Sequence, residues 1–314
     1  MCIRDSYTSI TKEELKTFLN DFDVGALQSF DGISSGVTNT NYLVTTSLNK
    51  YILTIFEHHS MDELPFFINL MTFLSGHNID CPNPISNNKK KSINLLKSKP
   101  ALLVSFLNGS EVEEINELHC FVVGKALAKM HNITKSFSEK RKNDRGIEWI
   151  EDKYVGMKSK LTSIEKNMIE LEIDFLNHHN VSDLPKSKIH GDLFRDNVLF
   201  LNDRRPSFID FYYACDEVLV FDIAIAVNDW CIDVDGAINK NKLKQFIEGY
   251  ETERNLDKEE RVYMPIALRW AALRFYISRL EHIHSSPSAE TPPIKNPDQF
   301  KNILIDRQVT EYRF

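Results

Sequence analysis

The most constraining feature of this sequence is the stretch 189–211, which reads IHGDLFRDNVLFLNDRRPSFIDF. It contains Asp192, then Asn197 five residues later and Asp210 thirteen residues after that. The residues between Asn197 and Asp210 form two short β-prone runs joined by a polar turn, a pattern that predicts a hairpin. Such a hairpin would bring Asn197 and Asp210 side by side.

These oxygen-bearing side chains are typical of phosphoryl transfer from ATP to an alcohol. That reaction needs a group that aims the hydroxyl and accepts its proton, and Mg²⁺ to neutralise charge on the phosphates. We expect Asp192 to be the catalytic base. Mg²⁺ takes one or two protein oxygens besides water and phosphate oxygens, which suits the Asn197 amide and the Asp210 carboxylate as metal ligands. The predicted cofactors are therefore ATP and Mg²⁺.

Simpler interpretations of the same residues stay open at this point. Gly-Asp and Asp-Asn pairs also occur in ordinary turns. His190 could form a metal site with His178 and His179, but no Cys or His lies near it at a spacing suited to Zn²⁺. We expect His190 to be a structural residue that braces the loop carrying Asp192.

Taken together, HGD at 190–192, Asn197 and IDF at 209–211 resemble the catalytic and metal motifs of the aminoglycoside phosphotransferase and choline kinase superfamily. The resemblance implies an α+β, two-lobed, protein-kinase-like fold with a small antiparallel β-rich N-terminal lobe and a larger, mainly helical C-terminal lobe. Residues 1–107 would be the nucleotide-binding lobe and residues 108–314 the catalytic and substrate-binding lobe. ATP and Mg²⁺ would lie in the cleft between them.

Two further segments are predicted to contact the nucleotide. Small and hydroxyl-bearing residues let backbone N–H groups approach phosphate oxygens, and one such run is similar to the phosphate-covering loop of the superfamily: Ser34, Ser35, Gly36, Val37, Thr38, Asn39, Thr40 and Asn41. The end of a later strand resembles the adenine-binding hinge: Ser105, Phe106 and Leu107. Thr54 departs from the kinase pattern, because kinases usually carry a phosphate-binding Lys or Arg there.

Composition narrows the function classes. The chain has 314 residues, of which 42% are hydrophobic and 26% charged, as in ordinary globular proteins. A net charge of −7 argues against a nucleic-acid partner, which needs a basic face. No apolar run approaches the ~20 residues of a membrane span, and no signal-peptide pattern is present. The dispersed cysteines predict reduced thiols and a cytoplasmic location.

Local patterns predict other elements of the fold. Thr11 and Glu14 form a capping box ahead of a short first helix. Helical periodicity appears near 147–161 and 164–178, and the chain after the hairpin is expected to be nearly all helical. In that part Asp222 resembles the superfamily acid that braces the catalytic loop from below, where the catalytic loop is the segment 190–192. Residues 1–6 give no pattern that connects them to the fold.

The fold does not determine which alcohol is phosphorylated. The segments 53–67, 210–216 and 222–231 resemble the homoserine kinase family, and this similarity extends over nearly the whole chain. It implies a small-molecule substrate, L-homoserine, converted to O-phospho-L-homoserine in threonine biosynthesis.

Homoserine carries an ammonium and a carboxylate, so its site should offer an acid and an arginine, which binds carboxylates bidentately. The ammonium candidates are Asp216, Asn228 and Asp229. Arg274, with Arg269 or Arg279, is the carboxylate candidate. Tyr212 and Trp230 could form the wall of the site.

Other functions are kept as alternatives. Choline, an aminoglycoside, methylthioribose or hydroxylysine could be the acceptor, since acidic residues would suit polycations and aromatic side chains would suit a quaternary ammonium. A pseudokinase that binds nucleotide without catalysis is a different class of answer. It would be marked by loss of the base or a metal ligand, whereas Asp192, Asn197 and Asp210 are all present.

Overall fold

The structure is a computed structural model that describes residues 8–33, 39–179, 181, 183–285, 296–312 and 314. The chain divides into two units, Met1–Asn108 and Gly109–Phe314. The expectations for residues 1–6 and for Ser34, Ser35, Gly36, Val37 and Thr38 lie outside the described residues.

The N-terminal unit is built on an antiparallel five-stranded sheet in the order β1-β2-β3-β5-β4. Its strands are β1 Leu27–Ile33, β2 Asn39–Thr46, β3 Lys50–Phe56, β4 Ile93–Leu96 and β5 Lys99–Ser105, and its helices are α1 Lys12–Leu19 and α2 Leu64–Gly76. Side chains alternate across a strand. Leu53 and Ile55 therefore join the apolar core that includes α1, whereas Thr54 points to the opposite face of the sheet.

The predicted capping box at the start of α1 is confirmed. The Thr11 hydroxyl accepts the Glu14 N–H at 3.2 Å, and the Glu14 carboxylate accepts the Thr11 N–H at 2.7 Å. Two backbone donors that the first turn leaves unpaired are satisfied in this way. The buried face of the helix then packs on the sheet through Leu15, Phe18 and Leu19.

The C-terminal unit is mainly helical. Its helices are α3 Glu117–Thr134, α4 Ile147–Met157, α5 Ser163–Asn177, α6 Leu219–Trp230, α7 Lys240–Glu251, α8 Lys258–Ser285 and α9 Pro297–Val309. Two short antiparallel ribbons lie among them: β6 Lys186–Ile189 pairs with β9 Cys215–Val218, and β7 Val198–Phe200 pairs with β8 Pro206–Phe208. Every residue of α6 is buried, which makes this helix the centre of the unit.

Helices α3 and α7 approach closely because glycine stands at their contact. A Cβ added to Gly249 would lie 2.0 Å from the Phe121 carbonyl oxygen, and one added to Gly124 would lie 2.2 Å from that of Phe246. No real side chain fits at such distances. The pair therefore positions α3, whose C-terminal turn supplies a residue to the site described below.

The structure confirms the predicted fold class, a β-rich N-terminal unit and a helical C-terminal unit. The expectation that the chain is nearly all helical after the hairpin misses β9. That strand has only four residues, CDEV, which are too few for a clear alternation of apolar and polar side chains. None of the helices in the described part of the chain has the length and apolar character needed to cross a membrane.

Candidate active site

The predicted hairpin around the metal motif is confirmed. Val198 pairs with Phe208 in the antiparallel register, and the Ile209 N–H donates to the Asn197 carbonyl at 3.0 Å. Asn197 thus lies opposite the residue that precedes Asp210. The backbone of Asp210 is left-handed, with φ 62° and ψ 61°. This conformation costs roughly 1–2 kcal/mol for a residue with a side chain, so the surrounding structure must hold Asp210 in place.

Asn197 connects the hairpin to Asp192. The side chain is buried, and its Nδ2 atom donates to the Asp192 carbonyl at 2.7 Å and to the Asp192 carboxylate at 3.1 Å. Because the amide nitrogen is directed at Asp192, the amide oxygen is the atom left for a cation. The side chain is therefore oriented as a metal ligand would need to be.

The donor set fits a hard divalent cation. Asn197 and Asp210 offer oxygen, the atom type that Mg²⁺ and Ca²⁺ prefer, and Mg²⁺ commonly takes only one or two protein ligands beside a nucleotide. Among the described residues no group of three or more His, Cys, Asp and Glu side chains could hold a metal by itself. A cation here would need phosphate and water oxygens to complete its coordination.

Gly191 has a geometric reason to be glycine. Its φ is +77°, and an added Cβ would lie 2.6 Å from the carbonyl oxygen of Tyr213. Any side chain would therefore strain the backbone and separate the catalytic loop from the segment that follows Asp210. The close contact places Tyr213 directly against the loop that carries Asp192.

His190 is buried and fully hydrogen-bonded in its neutral form. Its Nδ1 atom accepts the Asp192 N–H at 3.3 Å, so Nε2 carries the proton and donates to the Ile209 carbonyl at 2.9 Å. Burial lowers the pKa of His190, which keeps the ring neutral. The imidazole thereby joins the loop of Asp192 to the strand end before Asp210, a geometry that suits the predicted bracing role.

Asp222 lies beneath the same loop with no solvent exposure. Its carboxylate accepts the N–H groups of His190 and Gly191 at 2.7 and 2.8 Å and is bonded to Nε2 of His131 at 3.0 Å. Burial alone would raise the pKa of Asp222, but these hydrogen bonds lower it below its usual range. The charged carboxylate therefore holds two consecutive backbone amides of the catalytic loop.

His131 and Tyr250 extend this arrangement and were not singled out from the sequence. Burial lowers the pKa of His131, so the neutral ring donates to Asp222 from Nε2 and accepts the Tyr250 hydroxyl at Nδ1, 2.8 Å away. Arg254 donates to the Tyr250 oxygen at 3.3 Å. A single sequence gives no signal for such residues, because a polar side chain in a helix can be buried or exposed, and its local sequence does not distinguish the two.

Arg274 is brought to the catalytic loop by helix α8. It is 4% exposed, and its guanidinium donates to the carbonyl of Gly191, next to Asp192. Burial lowers the pKa of Arg274, and the nearby charge of Asp192 opposes that effect. The other two arginines considered for a carboxylate have different partners: Arg269 binds Glu172 at 3.0 Å, and Arg279 binds the Asn296 carbonyl at 2.7 Å.

The predicted substrate residues of α6 have partners inside the protein. Asn228 donates to the Leu268 carbonyl at 2.8 Å and accepts from Arg307 at 3.0 Å. The fully buried Trp230 donates to the Leu193 carbonyl at 3.1 Å. Asp229 accepts the N–H of Arg195 at 2.7 Å. Their part in substrate binding stays a prediction.

The two predicted substrate residues after the metal motif lie near the β6–β9 ribbon. Asp216 is 3.1 Å from the Lys188 ammonium and accepts the Arg141 N–H at 2.8 Å. Tyr212 is half-buried in the 3₁₀ turn Phe211–Tyr213. Their proposed contacts with substrate also stay predictions.

The described nucleotide candidates lie on the N-terminal sheet or directly after its strand β5. Thr54, which replaces the usual basic residue, is buried and donates to the Asn41 side chain at 2.8 Å. Thr40 donates to Glu57 at 2.6 Å, and buried Asn39 begins β2. Two of the three predicted adenine-binding residues donate backbone hydrogen bonds within the unit. The Ser105 N–H donates to the Asn83 carbonyl at 2.9 Å and the Phe106 N–H to the Lys50 carbonyl at 3.3 Å, and Leu107 follows them.

Comparison with solved structures defines the class of the fold. The amicoumacin kinase hAmiN, solved in complex with AMP-PNP, Ca²⁺ and Ami, superposes with a TM-score of 0.71 at 17% identity, covering 95% of this chain and 92% of that one. The choline kinase of Cryptosporidium parvum gives a TM-score of 0.69 at 15% identity, with 95% and 96% covered. At such identities the likeness concerns the fold alone, which is an α+β, kinase-like fold.

Sequence comparison then gives the family. The model described as the phosphotransferase enzyme family matches residues 29–256, and the chain belongs to this family. The homoserine kinase of Methylobacillus flagellatus is 40% identical over 298 residues, which span 95% of this chain and 93% of that protein. All three residues of the hairpin constellation, Asp192, Asn197 and Asp210, lie inside the matched region.

Proposed function

We propose that this protein transfers the γ-phosphate of ATP to the hydroxyl of L-homoserine and forms O-phospho-L-homoserine. The observation that carries the proposal is the nearly full-length similarity to homoserine kinases, which reaches 40% identity. The Asp192, Asn197 and Asp210 arrangement supplies the chemical groups that such a transfer needs. The product would enter threonine biosynthesis.

Asp192 acts as the base in this proposal. The Asn197 amide and the N–H of Asp192, bonded to His190, hold the residue in one orientation. As the homoserine oxygen forms its bond to the γ-phosphorus, its proton passes to the Asp192 carboxylate. The bond from that phosphorus to the bridging oxygen breaks, and ADP leaves with the electron pair.

The Asn197 amide oxygen and the Asp210 carboxylate would hold the metal ion, which we expect to be Mg²⁺. A bound divalent cation supplies neutralisation of the charge on the phosphate oxygens. The neutral His190 ring fixes the spacing between the loop of Asp192 and the strand before Asp210. The Asp222 carboxylate fixes the loop through the N–H groups of His190 and Gly191.

Nucleotide contacts are assigned to the N-terminal unit. Residues 34–41 would cover the phosphates, and residues 105–107 would bind adenine. Because Thr54 donates its hydroxyl to Asn41, the Asn41 amide nitrogen can face a ligand. We therefore assign the Met1–Asn108 unit to nucleotide binding and the Gly109–Phe314 unit to catalysis and substrate binding.

An ADP-release assay with Mg-ATP tests the proposal. The acceptors would be L-homoserine, choline, methylthioribose, kanamycin and hydroxylysine. Turnover of homoserine far above the other four is the expected result. Preferred turnover of another alcohol would contradict the substrate, and no turnover of any of them would favour the pseudokinase.

A further inference from the structure

Two arginines lie close to the ring of Tyr213, beside the catalytic loop. The guanidinium carbons of Arg145 and Arg274 are each 5.6 Å from the centre of that ring. Tyr213 itself touches Gly191, and Arg274 donates to the carbonyl of the same glycine. Arg145 comes from the turn before α4 and was not identified from the sequence. Arg274 therefore adjoins the residue before Asp192, and Arg145 lies near the ring of the tyrosine that touches that residue.

Neither guanidinium has a close carboxylate partner. In the described part of the chain Arg274 makes no ion pair and has the Gly191 carbonyl as its hydrogen-bond acceptor, although a guanidinium has five N–H donors. The ion pair of Arg145 is with Glu281 at 3.9 Å, and that carboxylate is bound more closely by Lys153 at 2.6 Å. Besides burial, the charge of Arg145 contributes to the lowered pKa of Arg274, so the two cations repel each other, while Asp192 is the nearby charge that opposes this effect. A further anion close to both guanidiniums would stabilise them.

The site is preorganised for such an anion. Arg145 lies 4.4 Å from the Trp149 ring, which holds its guanidinium by a cation–π contact, and its N–H donates to the Asn143 side chain at 2.8 Å. Arg274 is held among Phe275, Tyr213 and the Gly191 carbonyl. Arg145 is 31% exposed along its side chain and Arg274 is buried, so an anion would meet Arg145 first and Arg274 more deeply.

We propose that Arg145 and Arg274 together bind the carboxylate of the amino-acid substrate and thereby select a hydroxy amino acid over a simple amino alcohol. The inference rests on the proposed function. In homoserine only three carbons separate the reacting oxygen from the carboxylate carbon, so a carboxylate site must lie close to the base. Arg274 meets this requirement because it binds the residue next to Asp192. Arg145 lies near the same Tyr213 ring as Arg274. Arg145 is thus a specificity-determining residue.

A pair of acceptors tests this assignment. L-homoserine and 3-amino-1-propanol share the hydroxyl and the amine, but the second lacks the carboxylate. Arg145→Met should lower kcat/KM for homoserine by about 10- to 100-fold, mainly through KM, since a hydrogen-bonded charge contact is lost. The same change should alter kcat/KM for 3-amino-1-propanol by less than about 3-fold, because that acceptor never used the contact.

Two further variants complete the design. Arg141→Met removes the same charge from the same loop, but this arginine pairs with Asp144, so homoserine kinetics should stay within about 2-fold of wild type. Arg274→Lys keeps a cation in the buried position without the bidentate fork and should also raise the KM for homoserine selectively. A circular-dichroism melt of each variant checks that it is folded.

The kinetic results distinguish the carboxylate assignment from its alternatives. If Arg145→Met lowers kcat for both acceptors equally, the arginine acts on the transferring phosphate and the carboxylate assignment is overturned. Unchanged homoserine kinetics would overturn it as well. Failure of the proposed function looks different, because the wild type itself would not phosphorylate homoserine. Calorimetry with L-homoserine then decides: binding weakened by Arg145→Met supports the carboxylate site, and absence of binding to the wild type overturns it.

Discussion

The catalytic loop and helix α6 carry polar residues that the sequence alone presents as equals, yet the structure treats them differently. In the loop, Asn197 turns its amide nitrogen to Asp192 and leaves its oxygen for a ligand. In α6, both ends of the Asn228 amide are bonded within the protein, and the Trp230 N–H has the Leu193 carbonyl. The two regions therefore differ in whether a side-chain atom remains available to bind a ligand.

This comparison separates residues that keep the site in its conformation from residues that can bind a ligand. Asp222 accepts hydrogen bonds from His190, Gly191 and His131, so its carboxylate serves to keep the loop in position. Arg274, in contrast, is also buried, and among the described residues its hydrogen-bond acceptor is the Gly191 carbonyl alone. A buried polar group without full pairing is costly, and such groups concentrate at functional sites.

The largest effect is expected from Asp192→Asn. Removing the base should lower kcat by about 10³-fold or more, in line with the loss of general base catalysis. Nucleotide affinity should change little, because the proposed role of this carboxylate is to act on the acceptor alcohol. Steady-state ADP release and titration with a fluorescent ATP analogue measure the two quantities.

Asp196→Asn is the matched control, since it makes the same chemical change in the adjoining 3₁₀ turn Arg195–Asn197. Its kcat should stay near that of the wild type. If Asp192→Asn retained more than about a tenth of the wild-type rate, Asp192 would not be the base.

Asp222→Ala should have the next largest effect, on stability. It would leave the N–H groups of His190 and Gly191 buried without an acceptor, which we expect to lower the free energy of unfolding by about 3–5 kcal/mol. Urea denaturation followed by circular dichroism measures the change. Asp222→Asn keeps an oxygen acceptor and should lose less. Equal losses for the two variants would show that the oxygen retained by Asn does not contribute to stability, which would contradict the hydrogen-bond explanation.

Stability should also fall as the pH decreases below about 6.5, the ordinary pKa of histidine, because burial lowers the pKa values of His131 and His190. Below that pH the unfolded chain binds protons that the folded protein does not. Each histidine should therefore reduce the free energy of unfolding by up to about 1.4 kcal/mol per pH unit. The lowered pKa of Asp222 acts in the same direction but only near and below its ordinary value of 3.8.

Urea titrations at pH 7.5, 6.5 and 5.5 measure this slope. His190→Gln should reduce it, since one buried neutral histidine is removed. His178→Gln is the control, because it makes the same chemical change at a side chain that is 73% exposed. A slope that His190→Gln does not alter would mean that the His190 ring can take up a proton in the folded protein.

The hairpin of the site could be predicted because its information is local. The spacing from Asn197 to Asp210 contains both strands and the turn, so a few residues specify their own pairing. The same holds for the Thr11 capping box. Four residues of β9 carry too little pattern, and their partner strand β6 lies 26 residues earlier in the chain, so the ribbon could not be predicted.

The residues that surround the catalytic loop could be predicted only in part. His131, Tyr250 and Arg145 come from separate helices and turns, and nothing in their local sequence marks the contact. Helix α6 is buried on every side, so apolar periodicity cannot indicate which of its polar residues face the loop. Arg274 was selected for its charge, and the structure adds its place beside Gly191.

The smallest expected effect tests the boundary between the two regions, at Asp229. This carboxylate accepts the Arg195 N–H at 2.7 Å and its Nε at 3.2 Å, and 40% of the Arg195 side chain is exposed. Asp229→Asn keeps an oxygen for the backbone amide, so it should cost only about 0.5–1 kcal/mol of stability, and the KM for homoserine should stay within about 2-fold if Asp229 serves only to hold Arg195. The opposite result, a tenfold higher KM with unchanged stability, would identify Asp229 as a ligand of the substrate ammonium. The C-terminal end of α6 would then belong to the substrate site. Hydrogen bonds within the protein would no longer be enough to distinguish a residue that supports the loop from one that binds the substrate.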